Sequence, residues 1–564
     1  MVTFKEPQVG PKTSTTSDSR DWRISPKCRL IMFGVTINCL TTTQLGYMSA
    51  IWNHPRIIIE NFFNSSHYEH YGVPLSPMAL SACYSISVAA ALISCLPFGI
   101  FSSWLLDKLG RKITCIYVCG SVSAVSSGII VLSKYINSYE LFFVGRFVYG
   151  LAEAIQYSGV TLYITECSPP QHRGLTGAMM APAMGIGLIV GTTMSHPSIF
   201  GTDELWPWLV GITIVQNLVL IALGYWLPDS PKFAYINRGK EAEARGVIRQ
   251  FSGANFQETE HVLETYRKEG TLAEDAKMQT ILQSAHLRKG IVLSTVAVIG
   301  ETCEGWIITD YYSASLFREV GVDEHYVIYA IIGCQTLTLI GCLIVMMTVD
   351  KIGRRPCVNY GLLLSGICLV AMLIFSAFQN AENPVKWISY VSVSFFALMS
   401  FANTSATTVV PILRSELVPQ NIRSTNCAIS TVVNAIIAVV MCIVFPLVLD
   451  AVGPYSLLMF IIPLTLAAIY LWIKLPETKG RTVEQIVSGL RKTSISPGQF
   501  LTIADTVRKI SVASVTGERI MTDINDEERE RMLAIVAEAV ANQEQRQAAA
   551  HHDTTIRSEP VEFE

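Results

Sequence analysis

The sequence predicts an all-α membrane protein with twelve transmembrane helices in two six-helix halves. Three observations support this fold class: little charge, long apolar blocks, and short motifs that recur after about 250 residues. Half of the 564 residues are hydrophobic and only 15% are charged, whereas soluble domains are about 25% charged. The net charge of −3 gives no basic excess of the kind that nucleic-acid binding requires.

Twelve apolar stretches are long enough to cross a bilayer, which takes roughly 20 residues. We number them spans 1 to 12; they lie at about 30–52, 79–105, 113–133, 141–165, 175–195, 207–227, 290–316, 325–348, 357–378, 387–414, 425–449 and 455–474. The predicted domains are a tail at 1–29, a half at 30–227, a linker at 228–289, a half at 290–474 and a tail at 475–564. Mixed charge and helical periodicity in the linker predict short amphipathic helices on the cytoplasmic face.

The distribution of basic residues predicts that both termini are cytoplasmic, and the expected location is the plasma membrane. Basic clusters occupy 108–112 after span 2 and 351–355 after span 8, whereas the opposite loops are acidic or mixed. The predicted outer loop after span 1 contains the sequon Asn64-Ser65-Ser66, so Asn64 is a candidate glycosylation site.

Three short motifs occur once in each half, at offsets of 243, 250 and 248 residues. The pairs are 107–112 with 350–355, 166–173 with 416–423, and 228–231 with 476–479. Such a parallel repeat places a substrate path at the interface between the halves, near the bilayer midplane.

The charged residues of these motifs predict a cytoplasmic gate of ion pairs, formed between the halves or within each half. A network that exists in only one conformation biases a two-state equilibrium. The alternative is that these residues only anchor loops at the lipid headgroups. The predicted gate residues are Arg111, Lys112, Arg146, Glu166, Arg173, Asp350, Arg354, Arg355, Glu416 and Arg423.

Eight motifs resemble those of the sugar porters of the major facilitator superfamily, a group that includes the facilitative glucose transporters. They are DKLGRK (107–112), GRFVYG (145–150), YITECSPPQHRG (163–174), PDSPKFAYINRGKEAEA (228–244), YYSASLF (311–317), DKIGRR (350–355), SELVPQNIRS (415–424) and LPETKGRTVEQI (475–486). The resemblance covers roughly residues 30 to 490. It implies twelve helices, alternating access and cytoplasmic helices between the halves.

The positions that contact substrate in that family are mostly different here. The family's glutamines and asparagine in span 7 are replaced, as is the tryptophan that stacks on the sugar ring. Each buried polar group left without a partner costs roughly 1–3 kcal/mol, so we expect a modified specificity. The aligned candidate substrate-binding residues are Gln44, Glu301, Thr302, Glu304, Trp306, Thr338, Asn403 and Thr407.

Span 7 carries three acids within GETCEGWIITDYY at 300–312, and acids inside a membrane mark functional sites. Glu301 and Glu304 are three apart and would share a helix face, where they could bind a cation, bind a polyol or carry a proton. Alternatively, they pair internally or the helix breaks at Gly305. Asp310 is expected to be hydrated near the outer mouth, beside a predicted outer gate at Tyr311 and Tyr312.

A fourth acid, Glu153 in span 4, is expected either to line the cavity or to pair with Arg146 or a backbone group. Three functions remain open: a facilitative sugar or polyol transporter, a transporter of an organic cation or other nonsugar metabolite, and a nontransporting sensor that signals through its tail. Gln44, where proton-coupled relatives carry an acid, favours uniport. No motif of an enzyme, cofactor or metal site is present, and the expected partners are a small solute and the lipid bilayer. Partners of the carboxyl-terminal tail cannot be inferred.

Overall fold

The computed structural model describes residues 25–169, 172–272, 285–379, 385–418, 422–481, 485–486 and 488–489. The chain divides into two units, 1–487 and 488–564, and only Ser488 and Gly489 of the second are described. The sequence also predicts a helix at 526–547 in the carboxyl-terminal tail, and this stretch lies outside the described residues.

The described part of the chain is helical throughout and contains no strand. Nine helical stretches within it are long and apolar enough to cross a membrane. One of them, Thr425–Lys474, contains both span 11 and span 12, which are joined by the 3₁₀ turn Gly453–Leu457. Span 1 is divided at Thr41 into two shorter helices, and span 4 carries the charged residues Arg146 and Glu153 within its first helix, Tyr139–Ile155. Each predicted span therefore corresponds to helix.

The helix bounds, with interrupted spans given as their segments, are as follows. In the amino-terminal half they are Pro26–Leu40 and Thr42–Ala50; Pro77–Leu109; Ile113–Val118 and Cys119–Ile136; Tyr139–Ile155, Gln156–Val160 and Thr161–Cys167; Arg173–Ala178 and Met180–Met194; and Trp206–Gly224. In the carboxyl-terminal half they are Ala285–Cys303, Ile308–Tyr312 and Ser313–Glu319; Glu324–Ile352; Arg354–Ala377; Lys386–Glu416; Arg423–Val452; and Leu458–Lys474. A further helix, Arg56–Tyr71, follows span 1.

Several helices begin at a serine followed by proline. Ser25, Ser76 and Ser230 each cap a helix whose first residue is proline, and each side chain accepts a hydrogen bond from a backbone N–H three residues on. Proline suits this position because it has no N–H to leave unpaired and its φ is already helical. The local sequence thus sets where these helices start.

The packing of the two halves repeats with a shift of six spans. Spans 2 and 4, 3 and 4, 3 and 6, and 1 and 5 pack together, and so do their counterparts 8 and 10, 9 and 10, 9 and 12, and 7 and 11. Between the halves, span 2 packs on span 11 and span 5 packs on span 8. A shift of six spans turns the pair of spans 2 and 11 into the pair of spans 8 and 5, so each interface pair is the counterpart of the other. The halves are therefore related as the motif repeat predicts.

Short helices follow span 6 at Pro231–Ile236, Glu241–Ser252 and Phe256–Leu272. The second is amphipathic; it buries Val247, Ile248 and Phe251, and the ring of Phe251 lies 4.9 Å from that of Phe33 in span 1. These helices are on the face that carries the basic loops 108–112 and 351–355, which we call the cytoplasmic face. The opposite face is called the outer face.

Spans 1 and 5 approach each other through two glycines. A Cβ added to Gly46 would lie 2.1 Å from the carbonyl oxygen of Met184, and one added to Gly187 would lie 2.0 Å from that of Thr43. In membranes, small residues at such contacts let two helix backbones approach closely. The backbones leave no room for a methyl group at either position.

Gly187→Ala is expected to destabilise the protein by about 1–3 kcal/mol, because a side chain there must push span 1 away from span 5. The matched control is Gly128→Ala, because a Cβ at Gly128 meets nothing within 4 Å. Thermal unfolding of the purified protein in detergent measures both. Equal unfolding temperatures for the two variants would show that the contact is not tight.

Candidate functional site

Span 7 is interrupted at the acids that the sequence singles out. Its first helix ends at Cys303, Gly305 has a φ of +104°, and a π-helical turn follows at Ile308–Tyr312. Glu301 therefore lies in regular helix, whereas Glu304 lies at the break. The helix breaks at Gly305, one of the alternatives that the sequence leaves open, because glycine can take the backbone out of the helical conformation at this point.

Glu301 forms an ion pair with an arginine that sequence reasoning did not select. Arg414, near the end of span 10, donates from Nη2 to Glu301 Oε2 at 3.0 Å. The two side chains are 15% and 12% exposed, respectively. In the sequence, Arg414 is recognisable only as a single basic residue at the end of an apolar span. Its partner Glu301 is 113 positions away, so the sequence does not indicate the ion pair.

Glu304 is fully buried and contacts span 10. Thr407 donates from Oγ1 to Glu304 Oε1 at 3.4 Å, and Oε2 has no hydrogen-bond partner among the described residues. Asn403, with its amide nitrogen turned toward span 7, donates to the carbonyl oxygen of Glu304 at 3.0 Å and to Ser365 Oγ at 2.8 Å. Four predicted site residues, Glu301, Glu304, Asn403 and Thr407, thus line one boundary between spans 7 and 10.

The other predicted residues of this half are held by protein partners. Thr302 donates to Val298 O and to Asn434 Oδ1 in span 11. Thr338 donates to the carbonyl oxygens of Cys334 and Ser400 at 3.2 and 3.3 Å.

Trp306, directly after the break in span 7, is partly exposed. Its ring centroid lies 6.4 Å from that of Tyr311. Trp306 is therefore the aromatic residue of the predicted substrate-binding set, and it lies at the break in span 7.

Gln44 belongs to a buried network inside the amino-terminal half. It donates to Ser123 Oγ at 2.7 Å and accepts from Gln156 Nε2 at 3.3 Å. Asn217 donates to the same serine hydroxyl, and Gln44 has no exposed surface. In this conformation its amide links spans 1, 3 and 4 to each other.

Arg146 does not lie at the cytoplasmic rim, which corrects its placement among the gate residues. It is buried, donates to the carbonyl oxygens of Ser87 and Val88, and lies 4.9 Å from the ring centroid of Trp52. Span 4 runs from the outer to the cytoplasmic face, and Arg146 precedes Glu166 by about 30 Å of helix. Glu153 is also buried, and no ion pair joins it to Arg146 among the described side chains.

The outer face is closed by hydrogen bonds between the halves, centred on Asn53 at the end of span 1. Asn53 Nδ2 donates to Ser313 Oγ at 2.7 Å and to the carbonyl oxygens of Thr309 and Asp310. Its Oδ1 accepts from the backbone N–H of Ala314 at 3.0 Å. We call Asn53 and these span 7 partners the outer seal.

Further contacts between the halves surround the outer seal. Arg56 donates to Ser315 Oγ and lies 3.8 Å from Asp450, which also accepts from Ser81 at 2.8 Å. Sequence reasoning did not select Asn53, Arg56 or Asp450, because their partners are in the other half.

The predicted outer-gate tyrosines have different environments. Tyr311 lies 3.2 Å from Ser49 of span 1, hydroxyl to hydroxyl, across the two halves. Tyr312 donates to the carbonyl oxygen of Cys442 within its own half. Asp310 is buried, with 4% of its surface exposed, so the expected hydration at the outer mouth is wrong for this conformation.

The cytoplasmic rim has the same arrangement in both halves. In the first, Arg111 donates to Glu166 at 3.1 Å, Ser230 donates to Glu166, and the backbone N–H of Lys112 donates to Asp229.

In the second half, Arg354 lies 3.5 Å from Glu416, Thr478 donates to Glu416 at 2.6 Å, and the backbone N–H of Arg354 donates to Glu477. Each of these contacts joins residues of one half to each other or to the segment that directly follows that half.

Two other predicted gate residues and the predicted glycosylation site form hydrogen bonds with backbone groups. Arg355 donates to the carbonyl oxygen of Trp472 at 2.8 Å, and Arg173 to that of Ser168 at 3.4 Å. Asn64 lies in the helix after span 1, where its Oδ1 accepts from the backbone N–H of Leu75. The side chains of Asp350 and Arg423 lie outside the part of the structure that is described.

The fold and site together define a membrane transporter with two repeated halves, sealed at the outer face. Comparison with known proteins assigns the family: residues 34–489 match the model described as "Sugar (and other) transporter". The match covers most of the chain, which therefore belongs to this family.

The similar curated proteins are facilitated glucose transporters. Member 1 of solute carrier family 2 from Gallus gallus is 27% identical over 476 residues, covering 83% of this chain and 94% of that protein. Member 4 from Bos taurus is 29% identical over 484 residues, covering 84% and 92%.

Solved structures confirm the major facilitator fold. The proton:xylose symporter XylE bound to 6-bromo-6-deoxy-D-glucose matches with a TM-score of 0.67 and 20% identity, covering 82% of this chain and all of that one. XylE from E. coli in an inward-open conformation matches with a TM-score of 0.65 and 20% identity, covering 81% and 99%.

His54, beside the outer seal, is expected to make its closure sensitive to pH. Its side chain is 10% exposed, with Nε2 4.0 Å from Glu324 Oε1. Burial, followed by the positive charge of Arg318, lowers the pKa of His54 from 6.5 to about 4; His196 acts in the same direction and Glu324 in the opposite one. The closed outer face is therefore fully stable above pH 6.5 and loses stability as the pH falls from 6.5 toward 4.

At pH 5.5 the closed state should be about tenfold less favoured than at pH 7.5, since an exposed histidine is then mostly protonated. The maximal rate of influx should fall accordingly when both sides of the membrane have the same pH. In His54→Gln the acid-dependent fall should disappear. Identical pH profiles for this variant and the wild type would contradict the assignment.

Loss of a rim contact is expected to lower the transport rate more than loss of an exposed ion pair does. Glu166→Gln or Glu416→Gln removes the charge that holds the spans of one half together, and should reduce the transport rate about tenfold while leaving solute affinity within about twofold. The control is Asp107→Asn, because Asp107 is 74% exposed although it lies 3.4 Å from Arg111, and exposed pairs contribute little. Initial rates and binding in proteoliposomes measure both effects. A wild-type transport rate in Glu166→Gln would show that the rim contacts do not contribute to transport.

Proposed function

We propose that this chain carries a neutral sugar or related polyol across the membrane by facilitative uniport, with its two halves rocking about the site at the break in span 7. The proposal places it in the plasma membrane with both termini in the cytoplasm. As a member of a transporter family it is not an enzyme.

The observation that carries the proposal is the 3.0 Å ion pair between Arg414 and Glu301. Glu301 occupies a position where, by the resemblance, related porters hold their substrate. Because Arg414 balances its charge, the pair as a unit is neutral and does not select a singly charged solute. The relatives named as facilitated glucose transporters support a sugar as the cargo.

Alternating access is supported by where the contacts lie. The outer seal and the surrounding contacts join one half to the other, whereas the described rim contacts stay within a half. A change of access then breaks the outer contacts and leaves each rim cluster intact, so each half can move as a unit.

Two features support uniport over proton symport. Gln44 stands where the resemblance places an acid in proton-coupled members, and its amide is bonded to Ser123 and Gln156. Glu301, the acid best placed to substitute, is held by Arg414. An amide does not titrate, and the positive charge of a nearby arginine favours the ionised form of a carboxylate and so opposes its protonation.

A second candidate function is transport of an organic cation. Within the described membrane interior, the acids Glu153, Glu301, Glu304 and Asp310 outnumber the arginines Arg146 and Arg414. An excess of negative charge in a cavity attracts cations. The sensor hypothesis depends on the tail, which lies outside the described residues beyond Gly489, and remains a prediction.

Uptake by proteoliposomes tests the proposed function. We expect saturable flux of a labelled hexose or polyol that stops at equal concentrations inside and outside, and the same end point under an imposed proton gradient. Glu301→Ala should reduce this flux at least tenfold, whereas Asp107→Asn, at the exposed rim, should not. Accumulation of the solute above its outside concentration, driven by the proton gradient, would show that the protein is a symporter and not a uniporter. Inhibition of uptake by amines but not by hexoses or polyols would show that the transported solute is a cation.

A further inference from the structure

The guanidinium of Arg414 has hydrogen-bonding capacity that the protein does not use. Of its five N–H donors, one is bonded through Nη2 to Glu301. Its Nε is buried and has no hydrogen-bond partner among the described residues. An arginine placed only to neutralise Glu301 would be expected to offer its fork of two parallel donors to the carboxylate.

Glu301 is also incompletely used. Oε2 accepts from Arg414, and no hydrogen bond to Oε1 occurs within the described part of the chain. The pair is 15% and 12% exposed, so neither side chain is sealed from solvent. Donor and acceptor capacity therefore lie side by side at the boundary of spans 7 and 10.

This arrangement provides what the replaced glutamines of the family would provide. An amide side chain offers a carbonyl acceptor and N–H donors on neighbouring atoms. Here the unused acceptor is Oε1 of Glu301 and the unused donors are on Arg414, and the 3.0 Å bond from Nη2 to Oε2 holds the two side chains together. The charged versions of both groups make stronger hydrogen bonds than an amide does.

We propose that Arg414 determines solute specificity: with Glu301, it binds two neighbouring hydroxyl groups of a neutral polyol. One hydroxyl donates to Glu301 Oε1, and the next accepts from an N–H of Arg414. The assignment rests on the proposed function and specifies its substrate class as solutes with a vicinal diol.

The same geometry selects against charged solutes at this position. A carboxylate that approaches Arg414 meets Glu301, and an ammonium that approaches Glu301 meets Arg414. Either ion must separate the pair in order to bind, and breaking a partly buried pair leaves a charge uncompensated. A hydroxyl pair binds without separating the two side chains.

The test combines removal of one hydroxyl group from the solute with removal of the Arg414 guanidinium from the protein. The probes are the hexose or polyol with the highest flux and its monodeoxy derivatives, each measured by inhibition of uptake of the labelled parent. In the wild type at least one deoxy derivative should bind about tenfold more weakly than the parent, the cost of one hydrogen bond to a charged group. In Arg414→Gln the parent itself should bind at least tenfold more weakly, and the same derivative should differ from it by no more than twofold.

The matched control is Arg245→Gln, because Arg245 forms ion pairs with Glu241 and Glu260 in the linker helices, away from spans 7 and 10. It should keep the wild-type ratio between parent and derivative. If Arg414→Gln does not fold, Arg414→Lys replaces it, since lysine keeps a charge near Glu301 but lacks Nε and the planar fork. The lysine variant should lose discrimination at the same hydroxyl.

Two results overturn the proposal. One is a deoxy penalty that stays about tenfold in the Arg414 variants, because the effects are then additive and Arg414 does not contact that hydroxyl. The other is a wild type that transports the parent but discriminates against none of its deoxy derivatives. In both cases sugar or polyol flux persists and the proposed function stands. Absence of hexose and polyol flux in the wild type would instead show that the proposed function is wrong.

Discussion

The lack of water inside the bilayer is the constraint on which this structure depends. Each polar group placed there needs a partner within the protein or in the solute, because an unpaired group costs several kcal/mol. Gln44 meets the requirement through Ser123 and Gln156, and Arg146 through two backbone carbonyls and the face of Trp52. Two of the buried side-chain atoms for which the requirement is not met, Glu304 Oε2 and Arg414 Nε, lie close to the break in span 7.

The same constraint explains why the polar contacts divide into two kinds. Contacts within a half, such as those of Glu166 and Glu416, hold the spans together through any motion. Contacts between halves, such as those of Asn53, must be exchanged for water each time the outer face opens. Backbone groups at Thr309, Asp310 and Ala314 provide three of the four Asn53 partners, so the irregular part of span 7 is stabilised by the closed state itself.

The fold was largely predictable from the sequence, and the site was predictable only in part. Apolar length and the repeated motifs predicted the spans and the relation of the halves, because both are local or periodic signals. The partnership of Arg414 with Glu301 spans 113 residues and has no local signal. The spacing of the acids leaves open whether span 7 continues as helix past Glu304, and the structure shows that it breaks at Gly305. Arg146 was grouped with the rim motifs, although it lies far from Glu166 along span 4.

The central claim is that Asn53 closes the outer face while the cytoplasmic side remains free to open. Distances between spin labels test it directly, with one pair at Ser198 and Lys386 on the outer face and another at Lys240 and Lys351 on the cytoplasmic face; all four residues are exposed. In Asn53→Ala we expect a longer outer distance and a shorter cytoplasmic distance to become populated together, because loss of four hydrogen bonds favours the outward-facing state. Unchanged distances, or lengthening on both faces at once, would contradict the account.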